Sequence, residues 1–484
     1  MEKRNRFTWF LYACILCLCF SVVTASLTRL MGLPVQFYFL LTAAVVAAAL
    51  LAVYLPARLI AAKWRPDTGW MYEGKKGVFS SFFLPAALTA LLICIRLFCA
   101  APAGGAVETQ ACYGQALSGD LFFSPFLGDL YAFLLWAGLR IFSKEWAVSG
   151  INLALQAAGL LLFYEGIRKL NGAFCGMIAA FAVIFLPPFS DSAVAVEPQS
   201  LLFLFASLMI WLCGLFASKG GKKRGIRAFF LVFVSVLCGM EILIAPLLSA
   251  VFFFWLAVIF CCLRSNRMRG IGMAAALCGA LCGFCFLLLI GALARGERGT
   301  LAGQVAILLQ SWLAPDAVLG TDAVLHSPSI QDYWMTLAVF VPAMFALFTP
   351  DANGRRGSDY FPAWVILLGA AAFWETVSKA PLQEQGLRFA CLGVFAGMGI
   401  RNMFFVLPGM QPAEEKGVEK REPEEFVRRN PPLSRPAPGE YLENPLPVPK
   451  RHKKREMDYG FEPQQDQMYY EIPVADNDDF DLKE

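Results

Sequence analysis

Residues 146–172 read WAVSGINLALQAAGLLLFYEGIRKLNG. The first 22 of them, 146–167, hold a single side chain charged at pH 7, Glu165. A bilayer core needs about 20 apolar residues per helix, because only helices and closed barrels satisfy every backbone group there. The stretch therefore reads as a membrane-spanning helix. Glu165, Arg168 and Lys169 follow at spacings of three and four, which puts them on one face, so a local ion pair neutralises the carboxylate. Asn152 and Gln156, four apart, share another face. Such pairs glue helices together more often than they bind ligand.

Eleven further apolar runs lie outward from this one, near 7–29, 36–57, 80–101, 172–188, 198–217, 228–244, 246–263, 271–293, 334–349, 361–378 and 386–407. The expected fold is an all-α polytopic membrane protein of about twelve spans. Composition agrees. Of 484 residues, 58% are hydrophobic and 16% charged, whereas soluble chains carry about 25% charge, and the mean hydropathy is +0.57. These values exclude a soluble globular enzyme, a disordered protein and a nucleic-acid reader.

Basic residues set the orientation. MEKRNR at the amino terminus, Arg58–Lys76, Arg168–Lys169, Lys219–Arg227, Arg264–Arg269 and Arg355–Arg356 make every second loop basic. Those loops and both termini are expected in the cytoplasm, with the protein in the cell membrane of a cell envelope. A thirteenth run, 126–142, contains Asp129 and Arg140 and would break the alternation as a span. It reads as a helix lying in the interface. The first run is too long, and too polar at its end, for a cleaved signal peptide. Residues 1–79 then form two leading helices and a cytoplasmic loop, and 80–407 a membrane core. Its long outer loops, 102–145 and 294–333, are where an outer-face site would be built.

Beyond Pro408 the chain is charged and Pro-rich. Gly409–Glu484 holds 18 acidic and 12 basic residues, a net of −6, against +10 for the rest. Such a segment buries too little apolar surface to offset ordering entropy, so 408–484 is expected to be a disordered cytoplasmic tail. It reads either as a solvated tail or as a docking segment for a cytoplasmic partner, with Lys450–Arg455 (KRHKKR) suited to anionic lipid. All 15 cysteines lie at or before Cys391, most within apolar runs where cysteine packs as a small residue. Cys99 and Cys112 are the one pair that could meet on the outer side.

Charges within the spans each need an explanation, since one at the bilayer centre costs roughly 2.5–3.5 kcal/mol. Arg96 near an outer end can snorkel. Glu375 lies near an outer end. Glu241 is either shallow on the outer side or lines a cavity. Glu108, just after the third run, and Glu197, opening the sixth, fall at the outer water–lipid boundary.

Arg96 is followed by Glu108, Tyr113, Ala116 and Gly119-Asp120. SPFLGDLYAFLLWAGLRIFSKEW (124–146) follows, then the stretch quoted at the outset, then Glu197-Pro198 at the start of a helix, and near the end QEQGLRFACLGVFAGMGI (383–400). Over residues 80–407 this order resembles the GT-C superfamily of membrane glycosyltransferases. That group includes protein O-mannosyltransferases, aminoarabinose transferases and GPI mannosyltransferases. Val107-Glu108 stands where the family has Asp or Asp-Glu, Glu241 stands where a basic residue is common, and two helices precede the family core.

The resemblance implies a sugar moved from a polyprenyl-phosphate donor to an acceptor glycan, lipid or protein on the extracytoplasmic face, with inversion. It implies Glu108 as the base, with Asp120 in reserve, and Arg388 on the lipid phosphate. Arg96 and Tyr113 would line the site, and Glu197 would position the acceptor or a divalent ion. His326 and His452 are the only histidines, which argues against zinc. A carboxylate-bound magnesium or manganese ion would leave no signature. Two other readings stay open: a secondary transporter or lipid flippase, and a non-catalytic scaffold or inactive relative working through its tail. No GxxxxGK[ST] motif is present, which argues against ATP-driven transport, and no half-to-half repeat of the transporter kind is evident.

Overall fold

The computed structural model describes residues 7–17, 19, scattered positions between 40 and 55, 82–99, 111–119, 127–143, 146–193, 195–218, 224–263, 266–294, 330–348, 360–377 and 386–406. The chain divides into two units, Met1–Glu414 and Glu415–Glu484, and all of the second lies outside the described residues. So do the span expected at 36–57, apart from scattered positions, and the long outer loop 294–333, apart from its ends.

Every described element is a helix. In chain order they are α1 (Phe7–Cys17), α2 (Leu84–Cys99), α3 (Ala111–Ser118), α4 (Leu127–Ile141), α5 (Ala147–Asn171), α6 (Ala173–Phe185), α7 (Pro187–Asp191), α8 (Gln199–Ser218), α9 (Arg224–Ile244), α10 (Ser249–Cys262), α11 (Asn266–Ala294), α12 (Ile330–Met344), α13 (Phe361–Val377) and α14 (Gly386–Val406). Four segments are long and apolar enough to cross a membrane unaided: Ala147–Asn171, Gln199–Ser218, Arg227–Ile244 and Asn266–Ile290. Large apolar side chains such as Phe98, Ile141 and Phe229 face outward, as suits a surface that meets lipid rather than water.

Lipid tails are as apolar as leucine, so helix pairing here rests on close packing rather than on the hydrophobic effect. Small residues supply the approach. Gly159 meets Phe203 and Leu204, Gly166 meets Ile210 and Trp211, and Gly214 meets Gly166 and Lys169. Partner numbers rise together, so α5 and α8 run parallel. Gly239 against Ala280 and Gly283 against Val236 run the opposite way, so α9 and α11 are antiparallel.

Parallel α5 and α8 require a return crossing, which α6 supplies. Gly172, at φ +95, makes the turn between α5 and α6 in one residue, its N–H bonding Arg168 O at 3.1 Å. Only glycine adopts such a φ freely. The expected span 172–188 is in fact two pieces. Pro187 lacks an N–H and cannot continue the ladder, so α6 stops at Phe185, and Pro187 and Pro188 open the short α7.

Polar contacts gather at the helix ends. At the end expected to be cytoplasmic, Arg401 Nη1 and Trp364 Nε1 both donate to Asn171, to its backbone and side-chain oxygens at 3.0 and 2.6 Å. Arg227 Nη2 reaches Cys262 O at 3.2 Å. Arg168 and Lys169 grip Glu165 at 2.8 and 3.0 Å, the ion pair read from their spacing.

At the other end α4 packs on α5, with Gly138 facing Ala147 and Ile151 and with Tyr131 bonding Asn152.

Candidate functional site

Leu88, Leu92 and Arg96 are spaced four apart on α2 and share its buried face, at 3%, 0% and 5% exposure. Arg96 therefore turns inward instead of snorkelling outward, because its face of the helix packs on α5 and α6. Its Nε donates to Gln156 Oε1 at 3.2 Å and its Nη2 reaches Val183 O at 3.5 Å.

Gln156, fully buried on α5, carries the link onward. Its Nε2 donates to Phe189 O (2.8 Å), Ser192 Oγ (3.1 Å) and Ser200 Oγ (3.2 Å). One turn earlier, Asn152 accepts from Tyr131 OH at 2.9 Å and donates to Ala195 O at 2.9 Å and Ala193 O at 3.4 Å. The amide orientations follow from chemistry. A guanidinium only donates, so Oε1 must face Arg96, and two carbonyls only accept, so Nδ2 must face them. Sequence reading took this pair as glue between helices. Most of their bonds go instead to the connection between α6 and α8.

That connection carries Glu197, which is half-buried. Val196 beside it packs in a cluster with Tyr113, Tyr131, Leu135, Val148 and Leu201. Tyr113 is thus next to the Glu197 segment, but its ring is enclosed by packing rather than presented as a stacking platform. Tyr131 was missed by sequence reading, since nothing in an interfacial segment marks one tyrosine as buried. Burial, then the neighbouring Cys112 and Glu197, hold its phenol above the usual range, outweighing the opposing pull of the Asn152 hydrogen bond. Cys112 is a free thiol, and the side chain of Cys99 lies outside the described residues.

Arg388 is buried in the first turn of α14. Gly386 and Leu387, just before it, join Pro188, Phe189, Ser192, Gln199, Leu202 and Phe203 around a small cleft. The cleft thus brings the start of the helix bearing Arg388 against the connection bearing Glu197, and Gln156 ties that connection to Arg96. Glu108 and Asp120 lie outside the described residues.

Glu241 is buried, in register with Val234 and Cys238 on the core-facing side of α9. No hydrogen bond or ion pair to its carboxylate is found among the described residues. No group of three or more potential metal ligands occurs among the described residues either.

No protein-family model matches the chain, and no curated protein matches it by sequence. Four chains of solved structures match it by fold. One is ArnT from Cupriavidus metallidurans bound to undecaprenyl phosphate, at 15% identity and a TM-score of 0.45, covering 67% of this chain and 61% of that one. Another is the archaeal oligosaccharyltransferase AglB from Archaeoglobus fulgidus, in complex with an inhibitory peptide and a dolichol-phosphate, at 14% identity and a TM-score of 0.37, covering 77% and 52%. The chain thus spans 61% and 52% of their lengths. This chain is similar to each along at least 67% of its own length.

Proposed function

We propose that the protein is a membrane glycosyltransferase that takes a sugar from a polyprenyl-phosphate carrier and delivers it to an acceptor on the extracytoplasmic face. The observation that supports this reading is a small cleft where the connection that bears Glu197 meets the start of the helix that bears Arg388, with Gln156 tying that connection to Arg96. Nucleotide sugars do not cross a bilayer unaided, so a site on the outer side takes its sugar from a lipid.

The acceptor oxygen forms a bond to the anomeric carbon while the bond from that carbon to the phosphate oxygen breaks. The acceptor proton passes to a carboxylate, assigned to Glu108 with Asp120 in reserve. The electron pair leaves with the lipid phosphate, whose charge Arg388 offsets in bidentate fashion. One displacement without a covalent intermediate inverts the anomeric configuration. Glu197 positions the acceptor, alone or through a magnesium or manganese ion.

The test supplies purified protein with radiolabelled sugars on undecaprenyl and dolichyl phosphate, the carrier classes held by the two similar structures, together with candidate acceptors. Transfer by the wild type and a fall of about 10²-fold or more in Glu108→Gln are expected. Unchanged turnover in that variant removes Glu108 from the role, and no transfer from any donor removes the proposal. Glu241 favours a second reading, since membrane-buried carboxylates also serve proton-coupled transport. Proton-driven uptake by reconstituted vesicles, abolished in Glu241→Gln, would establish it.

A further inference from the structure

We infer that Gln156 and Asn152 are positioning residues: together they fix the connection between α6 and α8, and so set Glu197 relative to Arg96. The role assigned to Glu197 rests on the function proposed above; the placement of the segment does not.

The described residues between 192 and 197 lie outside any helix, so the carbonyls of Ala193 and Ala195 have no helical ladder to join, and Ser192, Ala193 and Val196 are buried. An unpaired buried carbonyl costs about 1–3 kcal/mol. Asn152 answers that need, donating to Ala193 O and Ala195 O. Gln156 holds the two ends of the segment, its Nε2 reaching Phe189 O before it, Ser192 Oγ at its start and Ser200 Oγ after it. Ser192 Oγ donates to Phe189 O at 3.3 Å and Ser200 Oγ to Ser192 O at 3.4 Å, closing the path. Ala195, the best-bonded carbonyl of the segment proper, lies two residues before Glu197.

Each amide also turns its oxygen toward a different element: Gln156 toward Arg96 on α2, Asn152 toward Tyr131 on α4. A residue that merely glues two helices needs one such bond. These two use donor and acceptor at once, and the donor half goes to the connection and its ends: to non-helical backbone from Asn152, and to Phe189 O and the Ser192 and Ser200 hydroxyls from Gln156. That dual demand is why an amide stands at both positions.

The acids of the same shape separate the halves. Gln156→Glu keeps the acceptor for Arg96 and loses the donors. Asn152→Asp keeps the acceptor for Tyr131 and loses its own. Hydrogen–deuterium exchange of the full-length protein in detergent should show amides of 189–198 exchanging at least tenfold faster in both variants, with α8 and α9 unchanged. The kcat for transfer should fall about 10–100-fold, with KM for the lipid donor held within about threefold. Tyr131→Phe, which leaves every bond to the connection in place, should move exchange by less than about threefold.

Should either acid variant fail to fold, the Ser192→Ala/Ser200→Ala double variant removes two acceptors conservatively and should give an intermediate rise. Unchanged exchange in 189–198, or an equal rise across the whole bundle, overturns the inference. So does a local rise with wild-type kcat. A wild type that transfers nothing counts against the proposed function alone, and the exchange result then decides this inference by itself.

Discussion

Arg96 shows what a single residue's spacing does and does not reveal. Its place near the end of an apolar run suggested escape to water, but the i, i+4, i+8 series with Leu88 and Leu92 commits it to the packed face. The series was legible; the partners were not, because a sequence does not say which backbone carbonyls will lie opposite. Asn152 and Gln156 were conspicuous for the same reason, and their targets at Phe189, Ala193 and Ala195 equally hidden. Cys112 offers a check at this scale. Burial, and then Asp129, push its thiol up. The thiolate is the reactive form, so a raised pKa leaves less of it at a given pH. Peptide-resolved alkylation should run slower at Cys112 than at a free cysteine between pH 7 and 9, with the rate still climbing above that range; a rate matching free cysteine contradicts the placement. Glu241 makes the opposite kind of prediction. A buried carboxylate without a partner burdens the fold, so Glu241→Leu should raise the detergent melting temperature, by about 1–3 kcal/mol of stability. A fall would reveal a partner beyond the described residues.

At the level of elements, apolar runs and charge alternation located the helices well, and their ends less so. The run 271–293 is part of a helix that begins at Asn266, and 228–244 of one that begins at Arg224, because basic residues at an interface extend a helix without adding to its apolar signal. Residues 126–142, set apart for their charges and for the loop alternation, hold a helix over Leu127–Ile141. The division of 172–188 into α6 and α7 was written in Pro187-Pro188 but outweighed by the apolar run. Glycines report where helices touch. In α9 and α11 a side chain added at Gly239 or Gly283 meets the backbone of Ala280 or Val236, whereas Gly270 has open space around it. Gly283→Val should therefore cost about 1–3 kcal/mol or more and lower the melting temperature, while Gly270→Ala should be neutral or gain up to about 1 kcal/mol. Equal effects would mean that α9 and α11 do not pack through these glycines.

For the molecule as a whole, two experiments address what the sequence implies. A reporter that is active only in the cytoplasm, fused after Glu484, should be active; activity of a periplasm-dependent reporter there would invert the topology. Removing 409–484 should leave transfer at the wild-type rate if the chemistry lies in the bundle, and abolish function if the protein works as a scaffold. Which residues form the base could not be settled by pattern, because the stretch holding Glu108 and Asp120 has no hydrophobic periodicity to fix its register. The shortness of α6 has a consequence for the surroundings as well. Thirteen residues rise only about 20 Å, against about 30 Å for the hydrocarbon layer, while α5 beside it has 25 residues. The chain beyond Phe185 therefore passes through α7 into non-helical backbone without having covered that thickness, which is tolerated when protein encloses it. Leu186, Phe189, Ser192 and Ala193 are all buried, so the neighbouring helices wall off a stretch that the shortness of α6 would otherwise leave facing oil.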